Sequence, residues 1–124
     1  MFKYNELLHE HFHNPRCYGP LADPDFHVIR KNASCGDVVE VFGMVNTKEK
    51  ILDKIHFQAT GCMIATAAAS LVCQALYGRS IAEAKMIDQQ KVKKLLGDIN
   101  LGPTRMRCAM LAADAIKEGV SRYA

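Results

Sequence analysis

The alternation of apolar and polar residues divides the chain into a strand-rich first half and a helical second half. From Val38 to Val45, and again from Ile51 to Thr60, the two kinds of residue nearly alternate, with many β-branched and aromatic side chains. Such alternation is typical of strands that bury one face. With a further apolar run from Phe26 to Lys31, it predicts a three-stranded antiparallel meander.

Helical patterns stand on both sides of these strands. Residues 4–13 are predicted to form a short amphipathic helix whose apolar face consists of Tyr4, Leu7, Leu8, His11 and Phe12. The segment from Cys62 to Tyr77 is rich in alanine and is predicted to form a second helix. Gly78 is a natural stop for it, since glycine accepts the left-handed conformation that often ends a helix.

Three capping signals predict the remaining helices. Ser80 with Glu83 forms a capping-box pattern, and Asp88 is positioned to cap another short helix that ends near Gly97. After a predicted loop at Gly102-Pro103, Thr104 is the expected cap of a last helix reaching about Tyr123.

Strands first and helices afterwards indicate an α+β fold, with the helices packed on one face of a three-stranded antiparallel sheet. The chain has 124 residues, 49% of them hydrophobic, which suffices for one domain with its own core. We therefore expect residues 1–124 to form a single domain.

Composition argues against several classes of function. The net charge is only +3, no run of Lys or Arg is present, and Trp is absent, so no nucleic-acid partner is expected. Ile55 to Gly78 contains no charged residue, but its polar side chains favour a strand followed by a buried helix, and no membrane partner is expected. An odd count of five cysteines and the absence of an apolar signal sequence favour reduced thiols in the cytoplasm.

The first candidate site is the tripeptide Cys35-Gly36-Asp37, between two predicted strands. Glycine allows a tight turn or a positive φ, so a thiolate and a carboxylate two residues apart can face one point. Thiolates are the ligands that zinc and iron–sulfur clusters prefer. The alternative is a β-bulge with a buried cysteine and a turn aspartate.

Two more cysteines lie at predicted helix starts. Cys62 follows Gly61, and Cys108 follows Arg107 in the last helix. A helix N-terminus and a neighbouring cation both lower a thiol pKa, so each is a candidate ligand, and Cys108 is also a candidate accessible nucleophile. The alternatives are a small buried residue at Cys62 and a surface thiol beside solvated arginines at Cys108.

The other cysteines and the histidines are weaker candidates. Cys17 lies in a predicted loop and Cys73 inside a predicted helix, and neither is expected to be a ligand. His9, His11 and His13 alternate, so a helix would point them in different directions around its axis. They are expected to be solvated side chains.

Taken together, these residues resemble the NifU-like/IscU family of iron–sulfur cluster scaffold proteins. The resemblance covers nearly the whole chain and is carried by the following segments: Tyr4 with Asn14-Pro15-Arg16, Cys35-Gly36-Asp37, Gly61-Cys62 with the small residues up to Ser70, and Cys108-Ala109-Met110-Leu111-Ala112 with Asp114-Ala115-Ile116. Where IscU members place a histidine before the third cysteine, this chain has Arg107. Arginine is not a usual metal ligand, so Asp37 or a residue from a partner is expected to be the fourth ligand.

The resemblance implies a site and a role. Cys35, Asp37, Cys62 and Cys108 would hold a transient [2Fe–2S] cluster, or Zn²⁺ in its absence, and Cys108 would accept persulfide sulfur. The chain would be an assembly scaffold rather than an enzyme, acting as a monomer or as a homodimer to which Tyr4 contributes contacts.

The implied partners are a cysteine desulfurase and apo iron–sulfur acceptor proteins, together with ferredoxin, a frataxin-like protein and Hsp70/J-protein chaperones. The segment that would be read by the chaperone is Leu101-Gly102-Pro103-Thr104-Arg105, in which Leu101 and Pro103 match the family pattern.

Two other functions remain open from the sequence. One is a SufU-like, zinc-dependent sulfurtransferase that accepts sulfur on Cys108. Arg107 favours it, and the absence of an insertion between Cys62 and Cys108 disfavours it. The other is a purely structural zinc domain, which an aspartate ligand disfavours because structural zinc sites are usually closed by Cys and His.

Overall fold

The computed structural model describes residues 5–123, so Tyr4 and its expected role in dimer contacts lie outside the described residues. The elements follow one another along the chain as α1 Glu6–His13, β1 Phe26–Asn32, β2 Asp37–Asn46, β3 Ile51–Thr60, α2 Met63–Leu76, α3 Ile81–Lys85, α4 Gln89–Leu95 and α5 Pro103–Val120. This order confirms the predicted α+β class with strands in the first half.

The three strands form an antiparallel sheet in the order β1-β2-β3, as the alternation predicts. Val28 pairs with Val41, and Val41 pairs with Phe57. All three side chains are buried, since they project toward the helices. The sheet face opposite this row carries Glu40 and the exposed Ile29.

Two short segments cover the outer edge of β3, which the sequence did not predict. Tyr18 forms a parallel bridge with Phe57, and Ser80 forms an antiparallel bridge with Ile51. An uncovered edge strand offers free backbone groups to other chains, so these bridges protect part of that edge.

α2 and α5 pack on the buried face of the sheet. The small side chains of α2 allow this close approach, because its alanines from Ala65 to Ala69 are almost fully buried. The stretch from Ile55 to Gly78 is thus a strand followed by a buried helix. In the described part of the chain, no helix combines the length and apolar character needed to cross a bilayer.

The helix ends correct two predictions. α5 begins at Pro103 with Gly102 as its N-cap, so Gly102-Pro103 is not a loop and Thr104 is not the cap. Proline suits the first helical position because the N–H that it lacks would have no partner there. α5 also ends at Val120, before the expected Tyr123, whereas Ser80 and Asp88 cap α3 and α4 as predicted.

The apolar face predicted for α1 is partly wrong. Leu8 and His11 are buried, and Phe12 is half-buried, but Leu7 is 40% exposed. At about 100° per residue, Leu7 lies roughly a quarter-turn away from Leu8, so the two cannot share the centre of one face.

Candidate functional site

A tight turn between β1 and β2 positions the first two candidate ligands. The Asn32 carbonyl accepts hydrogen bonds from the N–H groups of Cys35 (3.2 Å) and Gly36 (2.8 Å). Gly36 has a φ of 74°, the left-handed conformation that glycine adopts without a steric penalty. The next residue, Asp37, begins β2, so the turn brings Cys35 beside it.

This turn meets α5 at Cys108. The ligand atoms of Cys35, Asp37 and Cys108 all lie within 4.8 Å of one another, and the two sulfurs are 3.5 Å apart. Asp37 and Cys108 are each only 1% exposed, whereas Cys35 is exposed. The cluster is therefore open to solvent on the Cys35 side and closed on the side of the core.

Cys62 joins the cluster through Asp37. It is the N-cap of α2, and its backbone N–H donates to Asp37 Oδ1 at 2.9 Å while its thiol donates to Oδ2 at 3.5 Å. Its sulfur falls outside the group of atoms that lie within 4.8 Å of one another. Cys62 thus borders the same pocket but would have to approach to share one ion with the other three.

Gly61 makes room for the carboxylate. A Cβ atom at this position would lie 2.1 Å from Asp37 Oδ1 and 3.0 Å from the Asp37 Cα. Because Gly61 also has a φ of 142°, both space and backbone conformation favour glycine here.

Asn32 is a site residue that the sequence analysis missed. It is 8% exposed, and its side-chain amide donates to Cys108 Sγ at 3.3 Å, while its Oδ1 accepts from the N–H of Ser34 at 3.1 Å. The turn was recognisable from the sequence, but the contact joins β1 to a residue far along the chain in α5. Only the packing of α5 on the sheet creates it.

Burial changes the electrostatics expected for the thiols. Burial raises the pKa of Cys108, and hydrogen bonds with Asp37 and Cys35 and the charges of Cys62 and Asp37 add to it. The pKa of Cys62 is also raised, chiefly by burial, although the backbone N–H groups of Ala65 and Ile64 act in the opposite direction. The expectation of low-pKa thiols at both positions, and of an accessible thiol at Cys108, is wrong for the metal-free chain.

The thiol pKa values are raised because several acidic groups lie close together with no cation among them. Cys108 lies more than one turn inside α5, so the helix N-terminus no longer reaches it, and Arg107 beside it is exposed. Several groups that become anionic on losing a proton meet in a poorly hydrated space, which opposes ionisation. A bound cation reverses this effect and deprotonates its thiol ligands.

The remaining cysteines lie elsewhere. Cys73 is fully buried in α2, and Cys17 is half-buried and pairs its carbonyl with the N–H of Phe57. Among the described residues, Cys35, Asp37 and Cys108 are the one group of three or more His, Cys, Asp and Glu side chains whose ligand atoms all lie within 4.8 Å of one another.

Comparison with known proteins shows the family of this chain. The NifU-like N terminal domain family matches residues 3–124. The chain belongs to this family. It is 32% identical over 120 residues to the iron–sulfur cluster assembly scaffold protein IscU 1 of Archaeoglobus fulgidus, which covers 97% of this chain and 76% of that protein.

A second relative and a solved structure extend the comparison. The iron–sulfur cluster assembly scaffold protein IscU of Buchnera aphidicola subsp. Acyrthosiphon pisum is 34% identical over 97% of this chain and 94% of its own length. The solved structure of FiSufU, a scaffold candidate of the SUF system from Fervidobacterium islandicum AW-1, superposes with a TM-score of 0.78 at 18% identity. That superposition covers 94% of this chain and 96% of the other, and it shows a shared fold.

Proposed function

We propose that this NifU-like chain is a scaffold on which [2Fe–2S] clusters are assembled from iron and desulfurase-derived sulfur, and from which they pass to apo acceptor proteins. The observation that carries the proposal is the convergence of Cys35, Asp37 and Cys108 within 4.8 Å of one another. Relatives named as assembly scaffolds cover nearly the whole chain, which supports the same role.

The proposed ligands are Cys35, Cys62, Cys108 and Asp37. Three thiolates suit the irons of a cluster, and the carboxylate oxygen suits them less well, so Asp37 is the exchangeable ligand. Two clustered irons span more space than one ion. That agrees with Cys62 standing at the border of the pocket, where its hydrogen bonds to Asp37 orient both groups. In the absence of a cluster, Zn²⁺ would bind the same residues.

Sulfur delivery belongs to the same proposal. A thiolate of the scaffold attacks the outer sulfur of the desulfurase persulfide, a new S–S bond forms, and the desulfurase cysteine leaves as a thiolate. Cys108 is the proposed acceptor, but its sulfur is buried beside Cys35. Transfer therefore requires the exposed Cys35 to move aside and a cation to promote deprotonation of Cys108.

The proposed setting is the cytoplasm, with a cysteine desulfurase and apo iron–sulfur proteins as the principal partners. Ferredoxin as electron donor, a frataxin-like protein and Hsp70/J-protein chaperones are the further partners that family membership suggests. A cleft of about 730 Å³ borders the site and is lined in part by Arg30, Lys31 and Arg107, which favours partners with acidic surfaces.

The zinc-dependent sulfurtransferase is the rival function. It requires a persulfide to form on Cys108 while zinc holds the pocket, and the burial of Cys108 argues against a thiol that works on its own. Both functions use the same cysteines, so the two are distinguished by whether the site binds an iron–sulfur cluster or a single zinc ion.

Anaerobic reconstitution with cysteine, a desulfurase, ferrous iron and a thiol reductant that converts persulfide sulfur to sulfide tests the proposal. We expect about two irons and two acid-labile sulfides per chain, since that is the composition of a [2Fe–2S] cluster. Cys35→Ser and Cys62→Ser should lose the coloured cluster, whereas Cys17→Ser, outside the site, should keep it. One tightly held zinc without sulfide-bridged iron, or a stable cluster in either site variant, would contradict the proposal.

A further inference from the structure

One side of α1, separate from the cysteine site, carries residues of metal-ligand type, of which Glu6 and His13 are exposed and His9 is half-buried. Glu6, His9 and His13 follow one another at intervals of three and four residues. At about 100° per residue, the three side chains fall within an arc of roughly 60° on the helix surface. His9 and His13 are one turn apart, the spacing at which two imidazoles of a helix bind one metal ion.

The opposite face of α1 is anchored, which fixes the direction of this one. Leu8 is fully buried, and His11 Nδ1 lies 2.7 Å from the hydroxyl of Ser70 in α2. The side chain of Asn5 accepts from the Leu8 N–H at 2.9 Å and donates to the Leu96 carbonyl at 3.0 Å. These contacts hold the helix in one rotation about its axis, which leaves His13 exposed and His9 half-buried.

The three alternating histidines of α1 therefore have different surroundings. The expectation that they point in different directions is right for His11, which enters the core, and wrong for His9 and His13. The rings of His9 and His13 lie with their centroids 6.3 Å apart and their planes within 20°. Together with Glu6 and Glu10 they line a shallow cleft of about 400 Å³.

Of the two carboxylates that line this cleft, one already forms an ion pair. Glu10 forms an ion pair with Arg16, whose Nη2 lies 3.0 Å from Oε2. Glu6 lies in the first turn of α1 and lines the same cleft as the two histidines. It is therefore the carboxylate that adds a negative charge to the imidazole pair.

We propose that His9 and His13, assisted by Glu6, bind one divalent transition-metal ion such as Ni²⁺ or Zn²⁺. Imidazole nitrogens with a carboxylate oxygen suit these borderline ions. With metal–nitrogen distances near 2.1 Å and tetrahedral angles, the ring centroids would stand roughly 5 Å apart. The two rings, whose centroids are 6.3 Å apart, would therefore have to move closer to bind one ion, and water would complete the coordination. This site shares no residue with the cysteine cluster, so the two proposals can be tested separately.

The test uses the full chain with its cysteine site already filled by one equivalent of Zn²⁺. Ni²⁺ is then titrated by calorimetry under anaerobic conditions, while a zinc indicator confirms that no Zn²⁺ is released. We expect one Ni²⁺ per chain. His9→Ala and His13→Ala should each weaken its binding by more than about tenfold, because even changes outside a metal's direct ligands cost 10–100-fold. Glu6→Gln should weaken it less.

His27→Ala is the matched control, since His27 is an exposed histidine on β1 that pairs with Glu40. It should leave the Ni²⁺ affinity unchanged. Histidine side-chain NMR gives a second readout, in which Ni²⁺ should perturb the ring signals of His9 and His13 first. The proposal is overturned if Ni²⁺ does not bind, if it binds equally well to His9→Ala, or if His27→Ala loses as much affinity.

Discussion

At the scale of single residues, the position of the Asp37 carboxylate depends on Gly61. The buried carboxylate accepts a hydrogen bond from the Cys62 N–H through its Oδ1. A methyl group at Gly61 would occupy the volume of Asp37 Oδ1. The two glycines that flank the site therefore differ in the space around them. A Cβ at Gly36 would meet nothing within 4 Å.

Gly61→Ala should displace Asp37 and weaken metal binding at the cysteine site by at least about tenfold, as expected when a ligand loses its support. Zinc affinity measured by chelator competition checks this. Gly36→Ala is the control, since it introduces backbone strain of about 1–3 kcal/mol without a clash at the carboxylate. Equal losses of zinc affinity in the two variants would show that strain, not the clash, matters.

Asp37→Ala should slow transfer of an assembled cluster to an apo acceptor, because it removes the ligand whose weak bond opens the cluster to an incoming thiolate. The rate is measured by circular dichroism with apo-ferredoxin. Asp37→Asn is the companion variant, since its amide oxygen still accepts from the Cys62 N–H but is no longer anionic. Unchanged transfer rates in both variants would exclude Asp37 as the exchangeable ligand.

At the scale of elements, α1 and α2 are joined by a polar contact in an apolar setting. Ser70 is fully buried and its hydroxyl meets both His11 Nδ1 and the N–H of Arg16, the latter at 2.8 Å. Burial lowers the pKa of His11 below 6.5, and Arg16 acts in the same direction. The ring is therefore neutral at pH 7, and the contact links the end of the first helix to the middle of α2.

This lowered pKa predicts a loss of stability in mild acid. The unfolded chain binds a proton at His11 near pH 6.5 and the folded chain only at lower pH, so the free energy of unfolding falls as the pH drops below about 6.5. Urea denaturation at pH 7.5 and 5.5 measures it. His11→Gln should reduce the difference, whereas the exposed His13→Gln should not. An unchanged pH difference in His11→Gln would refute the assignment.

One aromatic ring lies where the sheet and α5 approach closely through glycines. Phe26 in β1 lies between Gly43 in β2 and Gly119 in α5, and a Cβ at either glycine would come within 2.2–2.3 Å of the ring. Both glycines are thus required by the close approach of two elements to one side chain, not by a turn.

Gly119→Ala should destabilise the fold by about 1–3 kcal/mol, because overpacking the ring exceeds the gain of about 1 kcal/mol from helix propensity. Thermal unfolding of the metal-free chain measures this. The double variant with Phe26→Leu should be less destabilised than the sum of the two single changes, because the smaller side chain relieves the clash. Strict additivity would mean that the ring and the methyl group do not meet.

At the scale of the whole molecule, one apolar core connects the elements. Buried side chains from every described helix and strand belong to it, from Leu8 in α1 to Val120 in α5. The cysteine site lies at one end of this core, where a strand turn and two helices meet. Its geometry therefore depends on the packing of the entire fold, not on one segment.

A single shared core predicts that the metal-free chain unfolds in one cooperative transition, as small single domains usually do. Far-UV circular dichroism and tyrosine fluorescence should give coincident urea curves. Separate midpoints for the two signals would show that residues 1–124 do not behave as one domain.

The sequence by itself determined what local chemistry controls. The strand alternation, the alanine-rich α2, the positive φ at Gly36 and the caps at Ser80 and Asp88 each depend on neighbouring residues, and the structure confirms them. The predicted start of α5 was wrong. Thr104 is a suitable N-cap residue, but Pro103 is suited to the first helical position because of its fixed φ and missing N–H, and the helix begins there. Family membership also followed from the sequence, since the cysteine motifs occur in order along the chain.

Only the tertiary structure decided the properties that depend on distant residues. It placed Asn32 against Cys108, buried Cys108 and raised its pKa, and left Cys62 at the border of the pocket. It also turned His11 inward and paired His9 with His13. Burial and charge act through space, so a thiol that local rules describe as acidic and accessible becomes buried and protonated once the sheet and helices close around it.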